Sequence, residues 1–148
     1  CTYPSTPDEA FVLDRVGRMS AGTAALCEAA GTATVADNLT AALTTLFGSV
    51  AVAVVALVTY RDELRARLRR TWPAGVPVLT EAAIMIEAYL TAERELGRLT
   101  PGADVRTIAP TLIGAGHLLF ADRTGAPPEP AAVHRMVATV LAGATPPR

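Results

Sequence analysis

Few residues in this chain carry reactive side chains. His117 and His134 are the two histidines, Cys1 and Cys27 the two cysteines, and Trp72 the single tryptophan. Structural zinc sites are built from Cys and His at short, recurring spacings, and no such pattern is present: the histidines fall on separate helical segments and no cysteine pattern accompanies them. No Walker loop, HExxH, paired CxxC or GxSxG occurs. Gly114-Ala115-Gly116 has only two glycines and follows no strand, so it is no dinucleotide fingerprint. Glu87 and Glu93 stand six residues apart, which on a helix turns them about 120° from one another. General acid–base work needs convergence, so this pair reads as ordinary helix surface. No catalytic residue, metal or cofactor is expected, and the chain reads as a non-enzyme. His117 reads as a core histidine, or as one polar contact to a ligand.

These residues must be positioned by helices. The stretch Thr80–Leu99, TEAAIMIEAYLTAERELGRL, is the organising one. Met85, Tyr89, Ala92 and Leu96 recur at spacings of four, three and four and share a face, which Ile86 and Leu90 widen. Glu87, Thr91, Arg94, Glu95 and Arg98 take the other side. Thr80 is the expected cap, and Gly97 stands where a left-handed residue ends a helix. The rest of the chain reads as built to cover this stripe.

At 148 residues, 51% of them apolar, the chain suits one domain with a sizeable core. Fourteen carboxylates face thirteen arginines, with no lysine and a net charge of −1, which argues against a dedicated nucleic-acid surface. Two cysteines make no disulfide framework. No basic region followed by an apolar run opens the chain, so a reducing cytoplasm is the expected location. Residues 38–60 carry no charge and are long enough to span a bilayer. Their threonines, Gly48 and Ser49 favour instead the central helix of a bundle, covered all round, and no membrane partner is expected. Asn38-Leu39-Thr40 matches a glycosylation sequon, read as chance on a helix.

Six helices follow from caps and stops, at about 7–30, 37–59, 61–71, 78–97, 104–121 and 130–142. Thr6-Pro7-Asp8-Glu9 is a capping box with Pro at the first helical position. Gly31 ends the first helix and Asp37 caps the second. Arg61–Arg70 is a short polar helix whose arginines form a solvated face. Asp104 caps the fifth helix, where Pro110 predicts a kink and Gly114 and Gly116 admit a close backbone. Pro130 opens the last, and Gly143 ends it.

The segment IEAYLTAERELGRLTPGADVRTIAPTLIGAGHLLF resembles the ligand-binding and dimerisation half of TetR-type transcriptional repressors. The likeness lies in Tyr89, Ala92-Glu93-Arg94, the Gly97-Arg98-Leu99 stop, Asp104 and Leu112-Ile113-Gly114-Ala115. It covers about Arg61 to Gly143. Tyr3-Pro4-Ser5-Thr6 faintly resembles the end of that family's DNA-binding module, so residues 1–6 read as a remnant of its boundary. The resemblance implies an all-α, six-helix effector-binding and dimerisation domain over residues 1–148. DNA is then contacted only through an upstream helix-turn-helix that this chain does not contain.

Two sets of site residues are expected. A homodimer would pair the last two helices through Leu112, Ala115 and Leu119 with Val133, Val137 and Val140. An apolar pocket for a small hydrophobic or aromatic effector would lie between Phe47, Ala51, Val54 and Val58 on one side and Met85, Tyr89, Ile113, His117 and Phe120 on the other. Trp72 would be its lid. The competing reading is a stand-alone helical carrier of a lipophilic molecule.

Overall fold

A computed structural model of the 148-residue chain describes residues 25–47, 66, 77–121 and 126–147. Every regular element among the described residues is helical: α1 (Val35–Phe47), α2 (Pro77–Glu95), α3 (Val105–Ala121) and α4 (Pro130–Leu141), preceded by a helical segment at 25–28. The chain is therefore all-α there, as its periodicity predicts. The expected helical stretches 7–24, 48–59 and 61–71 lie outside the described residues, save Ala66, which is helical.

The helix starts follow local chemistry, and two differ from the sequence reading. Thr34, not Asp37, caps α1: its Oγ1 accepts the Asp37 amide at 3.0 Å, the bond an N-cap makes to the third helical residue. Asp37 thus sits inside the first turn, and its carboxylate reaches His134 Nε2 on α4 at 3.3 Å. α2 begins at Pro77 rather than after Thr80, because a proline's fixed φ suits the first turn. Asp104 does cap α3. Its Oδ1 accepts the Thr107 amide at 3.2 Å and its Oδ2 the Thr107 hydroxyl at 2.7 Å. Those two bonds hold the Asp104 carboxyl below the usual range. Pro130 opens α4, and α3 runs as one helix across Pro110.

α2 closes as the sequence predicts. Gly97 has φ +76°, its amide donates to Arg94 O at 3.0 Å, and the Arg98 amide reaches back to Glu93 O at 2.9 Å. This pair of bonds is the Schellman stop that a left-handed glycine permits. Gly31, at φ +80°, follows the 25–28 segment, but its amide goes to a side chain, Glu93 Oε1.

α3 packs against α1, α2 and α4, so among the described residues it is the hub that α2 was expected to be. Its buried side is Val105, Ala109, Leu112, Ile113, Gly116 and Phe120. It meets Val35, Leu39, Leu43, Leu46 and Phe47 of α1, and Val133, Val137 and Leu141 of α4, in one core cluster. Burying each such Val or Leu stabilises the fold by about 1.5–3 kcal/mol. The inward face of α2 is Ala82, Ile86, Tyr89, Leu90 and Glu93. Met85 and Ala92 are only half-buried and Leu96 is 58% exposed, so the predicted stripe is rotated. Leu96 lies past the last helical residue, and its Cδ1 rests 3.3 Å from where a Cβ would stand on Gly31.

Candidate functional site

Two groups of side chains converge. The first is an aromatic corner where α1 crosses α3. Gly116 faces α1 here, and a Cβ on it would fall 2.8 Å from Phe47 Cε2. Glycine therefore lets the Phe47 ring lie against the α3 backbone. The ring centroid is 5.6 Å from that of Phe120 and 6.1 Å from that of His117, both tilted, a separation typical of attractive ring pairs. Ile113 is buried on the same side of α3. His117 Nδ1 is shut off from solvent and makes no hydrogen bond. Buried polar atoms are nearly always paired, so this nitrogen is the one unexplained polar group of the corner.

Phe47, Ile113, His117 and Phe120 of the expected pocket thus belong to one neighbourhood. Ala51, Val54, Val58 and Trp72 lie outside the described residues. Tyr89 belongs elsewhere, because its hydroxyl is taken into a polar junction. Met85 is half-buried, and its carbonyl accepts the Cys27 thiol at 3.8 Å.

That junction is the second group. Glu93 is fully buried. Its Oε1 accepts the Gly31 amide at 3.1 Å, and its Oε2 lies 3.3 Å from Arg98 Nη1. The Arg98 guanidinium also donates to the carbonyls of Thr32 and Ala33. Ala33 has φ +40°, a left-handed conformation that costs an L-residue about 1–2 kcal/mol. Asn38 Nδ2 shares its two N–H between three acceptors, Ala29 O at 3.1 Å, Thr32 O at 2.9 Å and the Tyr89 hydroxyl at 3.0 Å. Burial pushes the Tyr89 hydroxyl above its ordinary pKa; the Asn38 bond opposes this, and the hydrogen bond to Glu93 and its charge add to it. The sequon nitrogen of Asn38 is thus already engaged. Sequence reasoning missed Glu93 as a buried group, although it stands seven residues after Ile86 and three after Leu90, on the apolar face.

The residues expected at a dimer seam divide. Leu112, Val133 and Val137 have no exposed surface. They are covered by the chain's own core, which corrects their assignment to an outer seam: an apolar stripe at helical spacing marks a covered face, whichever body covers it. Ala115, Leu119 and Val140 keep part of their surface. The outward face of α3 carries Thr111, Gly114 and Leu118 instead. Leu118 is 69% exposed, and a Cβ on Gly114 would meet nothing within 4 Å. The close approach foreseen for both glycines holds only for Gly116, and it is to a ring rather than a backbone.

Grooves lined by described residues lie away from the aromatic corner. One, of about 400 Å³, runs between the start of α1 and the end of α4, past Arg98, Ala138 and Leu141. Another, of about 200 Å³, lies along Ala25, Ala29, Asn38 and Ala42. Among the described residues no three metal-ligating side chains cluster, and no helix is long and apolar enough to cross a membrane. Most of the uncharged stretch 38–60 lies outside them. No protein-family model, curated protein or solved structure matches the chain.

Proposed function

We propose that this chain is the effector-binding and dimerisation domain of a TetR-like transcriptional regulator. The reading rests on the residue resemblance around Gly97, Asp104 and Leu112–Ala115. The observation that carries it is that α3 has unfinished business on two sides. Inward, His117 Nδ1 is buried beside the Phe47 and Phe120 rings without a partner. Outward, Leu118 stands exposed one turn beyond a glycine that packing among the described residues does not require.

A glycine inside a helix costs about 1 kcal/mol relative to alanine. At Gly114 no positive φ and no neighbour among the described residues accounts for that cost. A second copy accounts for both residues. In a two-fold contact each Leu118 enters the space over the other copy's Gly114, with Thr111, Ala115 and Leu119 beside it. Two-fold symmetry sets like against like, and the outward side of α3 beyond Arg106 carries no charge to repel itself. An effector paired with His117 would then act on the helix that forms the seam. Its influence is bounded by its difference in affinity between two arrangements of the dimer. A neutral aromatic molecule bearing one hydroxyl suits the corner, because a hydroxyl serves either imidazole tautomer.

The test combines mass and melting. Sedimentation of the wild-type chain at micromolar concentration should give a dimer, and Leu118→Glu a monomer of unchanged helicity. A panel of hydroxylated aromatic compounds should raise the melting temperature of the wild type but not of His117→Leu. A wild-type monomer removes the assembly half of the reading. Failure of every compound, at concentrations where the dimer persists, removes the effector half and favours neither a sensor nor a carrier.

A further inference from the structure

The turn at residues 29–34 joins the 25–28 helical segment to α1, and none of its side chains is buried. The apolar anchors stand on either side of it, at Leu26 and Val35. Within it, the Thr32 amide and hydroxyl both donate to Ala29 O and Ala30 leans on the core; the remaining bonds come from outside it. Glu93 takes the Gly31 amide, Arg98 takes the carbonyls of Thr32 and Ala33, and Asn38 takes those of Ala29 and Thr32. Arg98 is itself held by Glu93, whose carboxylate has no exposed surface.

We propose that Glu93 and Arg98 form a latch that fastens the 29–34 turn to the end of α2, and that losing either charge releases this turn as a unit while the core of α1, α3 and α4 stays closed. Local openings of this kind occur where few apolar contacts must break, and here they are few: the partly buried Ala30 against the core and Leu96 beside Gly31. Glu93 is the keystone because it serves two bodies: it takes a backbone amide of the turn and fixes the guanidinium that takes two carbonyls. Removing Arg98 leaves a buried carboxylate without its counter-ion. Removing the Glu93 charge leaves Arg98 free to turn towards water. Either way Ala33 loses the bond that holds it at positive φ. The latch therefore sets how freely the 29–34 turn moves against the end of α2. It depends on neither the effector nor the dimer.

Hydrogen exchange of the full 148-residue chain, read by mass spectrometry, tests this. The comparison is between wild type, Glu93→Gln, Arg98→Met and the double variant. Peptides covering 29–34 should exchange faster in each single variant, by at least tenfold more than any change in peptides from α3 and α4. The double variant should match the singles, because one latch is broken once. Equal acceleration along the whole chain would show that the pair only supports the global fold, and wild-type rates at 29–34 would show that it holds nothing; either overturns the proposal. Should Glu93→Gln not fold, Glu93→Asp keeps the charge but draws the carboxylate back from Gly31. It must speed exchange at residues 30–32 selectively, and wild-type rates there would count against the latch.

Discussion

Gly116 lies beneath the Phe47 ring so closely that a Cβ would approach Cε2 to 2.8 Å. Phe47 is only 3% exposed, with Leu43 beside it, so the ring has little room to withdraw. Gly116→Ala should therefore destabilise the chain by about 1–3 kcal/mol, the usual cost of overpacking, despite the better helix propensity of alanine. Denaturant unfolding measures it, and a neutral or stabilising result would mean the ring can move aside.

Two residues earlier the same substitution has the opposite sign. Gly114→Ala meets open space and should stabilise the isolated chain by up to about 1 kcal/mol. If Leu118 of a second copy fills that space, the added methyl should also weaken association. A melting temperature that rises at low protein concentration, with a dissociation constant that rises too, is the expected pair of results. Stabilisation with unchanged association would place the contact elsewhere.

Tyr89 gives the chain an alkaline limit. Its hydroxyl is buried and its pKa raised, so the unfolded chain releases this proton first, near the ordinary tyrosine value of about 10. Stability from this group is complete below that pH and is lost as pH rises towards the folded value. Tyr89→Phe should remove that part of the alkaline loss, at a cost of about 1 kcal/mol for the bond from Asn38. The ultraviolet difference between wild type and variant isolates the Tyr89 titration; a curve centred on the ordinary value would contradict the buried junction.

Asp104 acts at the other end of the scale. Its carboxyl is held low by Thr107, so its contribution is present above the ordinary aspartate value of about 3.9 and fades as pH falls through the lower folded value. Asp104→Ala should lower the melting temperature at neutral pH and flatten its decline in acid. An unchanged acid profile would mean the cap contributes nothing measurable.

The parts of this fold legible in the sequence are those written in a few neighbouring residues. The stop at Gly97, the cap at Asp104 and the start at Pro130 each need only a turn of helix, and all three stand where expected. The outer boundary of a helix misleads when two signals compete, as at Thr34 and Asp37, where the hydroxyl wins. Burial is harder, because a periodic stripe says that a face is covered without naming the body that covers it. Leu112, Val133 and Val137 show this: they are apolar at the right spacing, and the chain itself covers them. Glu93 was illegible for a different reason. A carboxylate enters a core only where donors await it, and one donor here, the Gly31 amide, comes from 62 positions away.

Arg98 has a consequence for what this chain tolerates. From one planar group it meets the Glu93 carboxylate and two carbonyls of a turn more than sixty positions away. Such a fan of donors belongs to a guanidinium; an ammonium is a compact point charge on a flexible stem. The chain has thirteen arginines and no lysine. At position 98 the preference is stereochemical, and the exchange usually counted as conservative would keep the sign of the charge while losing its shape.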